Sequence, residues 1–369
     1  MNSPIYVTQP VLPELDEFIP YLEQIWKNKI LTNCGPLHQQ LEKELCDYLG
    51  VEYISLFNNG TIALLTALQA LNLAEGEVIT TPYTFVATAH SIVWNKLTPV
   101  FVDIDPKTSN IDPAEVEKAI TDRTVAIMPV HCYGIACDVE QLQNIADQNN
   151  LKLIYDAAHA FGVKHQGQSL LNYGDLSVIS FHATKVFNTF EGGAVVCHSA
   201  EMKQRIDRLK NFGIASETAI DDISLNGKLS EVHAALGLLQ LKSIDETLLA
   251  RKHIDHYYRE LLRGVEGIAC IQRPAAETDN YAYFPIVISQ PYPLSRDELF
   301  SALKKQNIFA RKYFYPIMTD LAIYQQYQAE TPEAKLLSEH VLCLPMYPAL
   351  ADAEIQQIVK VIKMVANND

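Results

Sequence analysis

Leucines 37, 41, 45 and 49 recur every four residues through positions 36–49, a spacing that lines one face of a helix with apolar side chains. An apolar stretch at 53–57 comes next, then the turn Asn58-Asn59-Gly60 and a second helical pattern over 61–73. Beyond it the chain alternates. Strand-like pieces at 77–81, 99–102, 124–130 and 152–155 are separated by helix-like pieces at 85–95, 113–120 and 138–148. The strands are apolar along their whole length rather than at every second residue. Such strands are covered on both faces, so the alternation predicts an α/β fold with a mostly parallel sheet flanked by helices.

The character changes after residue 176. Strands are predicted at 176–181 and 194–198, joined by a polar loop that contains glycine, and a helix at 229–241 runs on through Arg263. Later strands are expected at 283–289 and 308–312, with helices between and after. The reading is therefore a large domain over residues 1–245, including an N-terminal arm, and a smaller C-terminal α/β domain over 246–369 with a mainly antiparallel sheet. No internal repeat or low-complexity segment interrupts either part.

Composition narrows the partners more than the fold. The 369 residues carry 29 Lys and Arg against 44 Asp and Glu, a net charge of −15. So acidic a chain lacks the basic face that nucleic acids and anionic membranes require. Its seven cysteines contain no CxxC pair, and Cys132 with Cys137 has no second half for a zinc site; the expectation is reduced thiols and no metal. The first ten residues lack a basic region followed by an apolar one, and no apolar run is long enough to span a bilayer. The protein is expected in the cytoplasm.

Three groups of residues fall where strands end, the place where open α/β sheets bind ligands. In Phe57-Asn58-Asn59-Gly60-Thr61 a strand turns into a helix, whose free N–H groups suit a phosphate. Asn59 or Thr61 could equally be a plain helix cap. In Leu153-Ile154-Tyr155-Asp156-Ala157-Ala158-His159, a carboxylate leaves an apolar strand partly buried, where it needs a cation or donors. A protonated pyridine nitrogen is one such cation; a helix cap for Asp156 and a core role for His159 are the plainer readings. In Ser180-Phe181-His182-Ala183-Thr184-Lys185, a hydroxyl stands at a strand end and a lysine just beyond it. A lone lysine is usually solvated, but one desolvated in a cleft suits Schiff-base and proton-transfer chemistry. Together the three supply anchor, nitrogen partner and nucleophile for one cofactor. No GxGxxG opens the first strand–helix turn, so a dinucleotide site is excluded.

The same residues carry a resemblance to the DegT/DnrJ/EryC1/StrS nucleotide-sugar aminotransferases, fold-type I enzymes that use pyridoxal 5′-phosphate. It runs nearly end to end. It starts at Leu31-Thr32-Asn33-Cys34-Gly35-Pro36, passes through Pro82-Tyr83-Thr84-Phe85 and Pro129-Val130-His131-Cys132-Tyr133-Gly134, and ends at Leu344-Pro345-Met346-Tyr347-Pro348. The resemblance implies that Lys185 carries the cofactor as a Schiff base and shuttles the proton. It implies Asp156 at the ring nitrogen, His159 beside the ring, Phe85 stacked on it, and Gly60, Thr61 and Ser180 at the phosphate. Asn226 matches an asparagine that reaches the phosphate from the neighbouring subunit, which implies a homodimer with shared active sites. Asn33, Tyr313 and Tyr315 match stretches near the sugar.

Three departures stand out: Asn59 replaces a common Ser, Lys228 a common Arg, and Phe190 a common Gly. The second and third resemble 4-aminotransferases of dTDP-linked deoxyhexoses. Members that are dehydratases carry histidine in place of the lysine, so Lys185 points away from them. The implied reaction moves an amino group from L-glutamate to a nucleotide-linked keto-sugar, dTDP- or UDP-linked, giving the 4-amino sugar for a surface polysaccharide. A 3-aminotransferase, an amino-acid transaminase or desulfurase, and a sensor that binds without catalysis are the alternatives.

Overall fold

The computed structural model describes residues 3–274 and 277–366. Its centre is a seven-stranded sheet. The strands are β1 (Tyr53–Phe57), β2 (Glu77–Thr80), β3 (Thr98–Phe101), β4 (Thr124–Met128), β5 (Lys152–Asp156), β6 (Leu176–Ser180) and β7 (Gly193–Cys197), in the order β1-β7-β6-β5-β4-β2-β3. β7 runs antiparallel to both its neighbours, and the remaining pairs are parallel. The fully apolar strands are buried on both faces, as their composition predicted: Ile79, Ile127 and Ile179 lie in one core cluster, and Val78, Met128 and Val178 in another.

Helices α1 (Leu15–Asn28), α2 (Pro36–Leu49), α3 (Gly60–Ala70) and α4 (Val86–Trp94) occupy the first third of the chain. The leucine row of α2 is buried to the last residue. α1 carries Pro20 inside it, where prolines usually end helices; Ile25 is buried, Phe18, Tyr21 and Leu22 pack half-buried against the core, and Leu15, Ile19 and Trp26 are exposed. The predicted helix over 229–263 is two, α5 (Glu231–Lys242) and α6 (Ile244–Leu262), with a joint at Ser243.

A second, antiparallel sheet holds β8 (Ile268–Cys270), β9 (Phe284–Ile288) and β10 (Val341–Leu344), with β9 in the middle. The strand predicted at 308–312 shrinks to Ile308–Phe309. It pairs with Ile5–Tyr6 outside this sheet, because the next residues turn towards the centre of the molecule. No helix among the described residues is long and apolar enough to cross a membrane.

Candidate active site

Because β1, β5 and β6 run in the same direction, their carboxyl ends open on one side of the sheet. β7 starts at that edge: Gly193 pairs with Ser180 on one side and Phe57 on the other. A Cβ on Gly193 would sit 2.7 Å from the backbone nitrogen of Gly60, so only glycine lets the turn after β1 close onto the sheet. The three sequence groups therefore meet around one cavity of about 330 Å³.

At one end lies the start of α3. Asn59 is its cap, with Oδ1 accepting from the Ile62 N–H at 2.8 Å, so the plainer role suggested for this residue is real. Gly60 and Thr61 follow as the first helical residues and line the cavity. Their N–H groups have no carbonyl to reach within their own helix. Ser180 faces them, with its Cβ 3.2 Å from where a Gly60 Cβ would be. This end suits an anion.

Asp156 ends β5 in the floor, with only 5% of its surface exposed. Its Oδ2 accepts from the Thr88 hydroxyl at 2.7 Å and its Oδ1 from the Ala158 N–H at 3.1 Å. Burial raises the carboxyl pKa, opposed by these two bonds and by the charge of Lys185. Among the described residues no cation forms an ion pair with it. The floor thus holds a desolvated carboxylate aimed at a cavity, with room for a cationic partner that the chain does not supply.

His159 stands beside it, buried. Its Nδ1 accepts from the Tyr133 N–H at 3.2 Å and its ring stacks parallel to Phe314. Burial, helped by Lys185, pushes its pKa well below the usual value, so the ring is neutral. Lys185 follows a tight turn closed by its N–H to the His182 carbonyl. Burial lowers its ammonium pKa to about 8, against the pull of Asp156 and Tyr313. Its Nζ lies within hydrogen-bond distance of the Tyr283 hydroxyl, at 3.3 Å.

Phe85 precedes α4 and lines the opposite wall with 59% of its surface exposed. An aromatic face so open in a binding cavity can stack on a planar ligand. Tyr313 lines the rim. Three residues expected near the site lie away from it within this chain. Asn33 stands in the N-terminal loop with a left-handed backbone. Asn226 forms a backbone bridge with Asn211. Tyr315 turns outward, its ring 4.6 Å from the Arg296 guanidinium. Conversely, Thr88, Tyr283 and Arg311 were not singled out in the sequence, though Thr88 stands three residues after Phe85 and Arg311 two before Tyr313. Nothing in the sequence marks Tyr283.

The sequence model of the DegT/DnrJ/EryC1/StrS aminotransferase family matches residues 14–363. A dTDP-4-amino-4,6-dideoxy-D-glucose transaminase of Shigella dysenteriae is 59% identical over 99% of this chain and 100% of its own length. A transaminase of the same name from Escherichia coli is 52% identical over 98% of both chains. Among solved structures, that of DesI in the presence of its TDP-sugar product superposes with a TM-score of 0.95 at 34% identity, covering 100% of this chain and 94% of the other.

Proposed function

The chain belongs to the DegT/DnrJ/EryC1/StrS aminotransferase family, and on that premise we propose that it moves the amino group of glutamate to C4 of a dTDP-linked 4-keto-6-deoxyhexose, with pyridoxal phosphate seated beside Lys185. The observation that carries this reading is one cavity in which a desolvated lysine, a buried carboxylate without a cation and an open helix start converge. The sugar and the carbon aminated follow from the activity named for the transaminases of 59% and 52% identity.

The residues fit the cofactor. Asp156 offers its carboxylate to a protonated ring nitrogen, held in direction by Thr88 and the Ala158 N–H. The Gly60 and Thr61 N–H groups, the Thr61 hydroxyl and Ser180 offer donors to a phosphate. Phe85 and His159 flank the space between. When bound, pyridoxal phosphate supplies an electron sink for the carbon that loses its proton. Lys185 Nζ takes that proton from the donor's carbon and, in the second half, delivers it to the sugar carbon. Burial of the amine keeps water from competing for the proton. We place the cofactor-holding part in residues 1–245 and the smaller part in 246–369, next to the joint at Ser243.

A panel of keto-sugars tests the substrate. With glutamate, dTDP-4-keto-6-deoxyglucose should give the 4-amino product by NMR, with parallel-line ping-pong kinetics. UDP-linked and 3-keto sugars should fall at least ~10-fold lower in kcat/KM, the discrimination a few lost contacts provide. Equal efficiency with a 3-keto sugar would overturn the assignment of C4.

A second copy is proposed to complete the site. Asn226 follows a hairpin whose Ile214 and Ile220 are exposed, as are Phe212 before it and Ile223 after it. Such an apolar patch marks an interface. Inactive Lys185→Ala and Asn226→Ala chains should regain activity when refolded together, because one site of the mixed dimer then has both native residues. No regain would place Asn226 outside the partner's site.

A further inference from the structure

A hydrogen-bonded chain joins Tyr133, His159, Tyr283 and Lys185, and its polarity follows from one fixed end. A backbone N–H can only donate. That of Tyr133 reaches Nδ1 of His159 at 3.2 Å, so Nδ1 carries no proton. The buried ring is neutral, and a neutral imidazole keeps one N–H, which must then be on Nε2. Nε2 lies 3.4 Å from the Tyr283 hydroxyl oxygen, and Lys185 Nζ lies 3.3 Å from that same oxygen.

The Tyr283 oxygen thus accepts a hydrogen bond from the His159 Nε2–H and must turn its own O–H elsewhere. Among the described residues, Lys185 Nζ is the remaining atom within its reach. Were Lys185 an ammonium, two donors would meet on this oxygen and the phenolic proton would find no acceptor. With Lys185 as the free amine every group is matched: Tyr133 donates to His159, His159 to Tyr283, and Tyr283 to the nitrogen lone pair. A buried donor left unmatched loses its solvation with nothing in return, which favours the matched state. We propose that Tyr283 is a catalytic residue that holds Lys185 as the free amine, the form able to act as nucleophile and base. This rests on Lys185 being the reactive amine.

The surroundings keep the hydroxyl in place. Asn280 Nδ2 donates to the His159 and Phe161 carbonyls at 2.7 and 2.9 Å, Arg273 donates to the Tyr283 carbonyl at 2.8 Å, and Arg251 donates to the carbonyls of Tyr281 and Ala282. The Tyr283 ring packs edge-on against Tyr133 and Tyr313. Of the other groups facing Lys185, Asp156 and Tyr313 favour its charged form. His182, Glu191 and Arg311 line the same cavity further out. Tyr283 and burial therefore act against the carboxylate that the cofactor requires.

Competitive acetylation of the cofactor-free full chain at a series of pH values, read at the Lys185 peptide by mass spectrometry, gives the titration midpoint of this amine. It needs neither cofactor nor sugar, so failure of the substrate assignment leaves the result intact. Tyr283→Phe should move the midpoint up by about one pH unit, the order of shift one hydrogen bond produces. His159→Leu should do the same, because Tyr283 can then turn to accept from an ammonium. His159→Gln should stay near wild type, since its amide accepts from Tyr133 and donates to Tyr283. An unchanged or lowered midpoint in Tyr283→Phe overturns the proposal. Should that variant lose its near-ultraviolet circular dichroism, the His159 pair decides: Leu up with Gln in place supports it, and any equal behaviour of the two overturns it.

Discussion

Lys185→Ala is expected to reduce turnover to background while the chain still folds. The amine is the cavity's nucleophile and its proton carrier, and alanine can be neither. Lys185→Arg should fail as completely, since a guanidinium keeps its proton at any pH the fold survives. Burial of Lys185 in a cavity already costs its ammonium pKa, which falls to about 8. Removing a charge held against its solvation should therefore leave Tm equal or slightly higher. One measurement checks the role separately from the rate. Borohydride should bleach the yellow colour of the wild type and leave a pyridoxyl group covalently on the Lys185 peptide, and on no peptide of Lys185→Ala. Normal turnover in Lys185→Ala without an added amine would end the assignment.

How far this site could be read beforehand depended on where its parts stand in the chain. The strand ends were legible because apolar runs of four or five residues stop at Phe57, Asp156 and Ser180, and in a parallel sheet those stops share an edge. Sequence pattern alone therefore brought Gly60, Asp156 and Lys185 together. The antiparallel return of β7 was not legible, since an apolar strand has no visible direction. Nor were the side chains that tune the centre. Thr88 meets Asp156 across 68 residues and Tyr283 meets Lys185 across 98, and neither contact follows from a local period. Helix α1 was hidden by Pro20, although Phe18, Tyr21, Leu22 and Ile25 pack one of its faces on the core. Asn33, Asn226 and Tyr315 came from resemblance alone, and within one chain the fold leaves them outside the cavity.

Asp156→Asn is expected to have the second largest effect, and it separates charge from shape. Asparagine keeps the volume and can still accept from the Ala158 N–H, but it brings no negative charge to a ring nitrogen. Without that charge the nitrogen loses its proton and the electron sink weakens at the step where Lys185 Nζ takes a proton from carbon. Loss of one preorganised electrostatic partner in a dry site costs roughly 10²–10³-fold in kcat, and that is the fall expected here. Stability should move the other way. Burial raises the Asp156 carboxyl pKa above its unfolded value, so the folded state binds its proton more tightly than the unfolded state does. The resulting cost is absent below the unfolded value near ~3.9, grows as pH rises through the raised native value, and is constant above it. At neutral pH the cofactor-free Asp156→Asn chain should consequently melt at the same temperature as wild type or higher. A variant that kept turnover within twofold, or that melted well below wild type at neutral pH, would show that this carboxylate serves the fold and not the ring nitrogen.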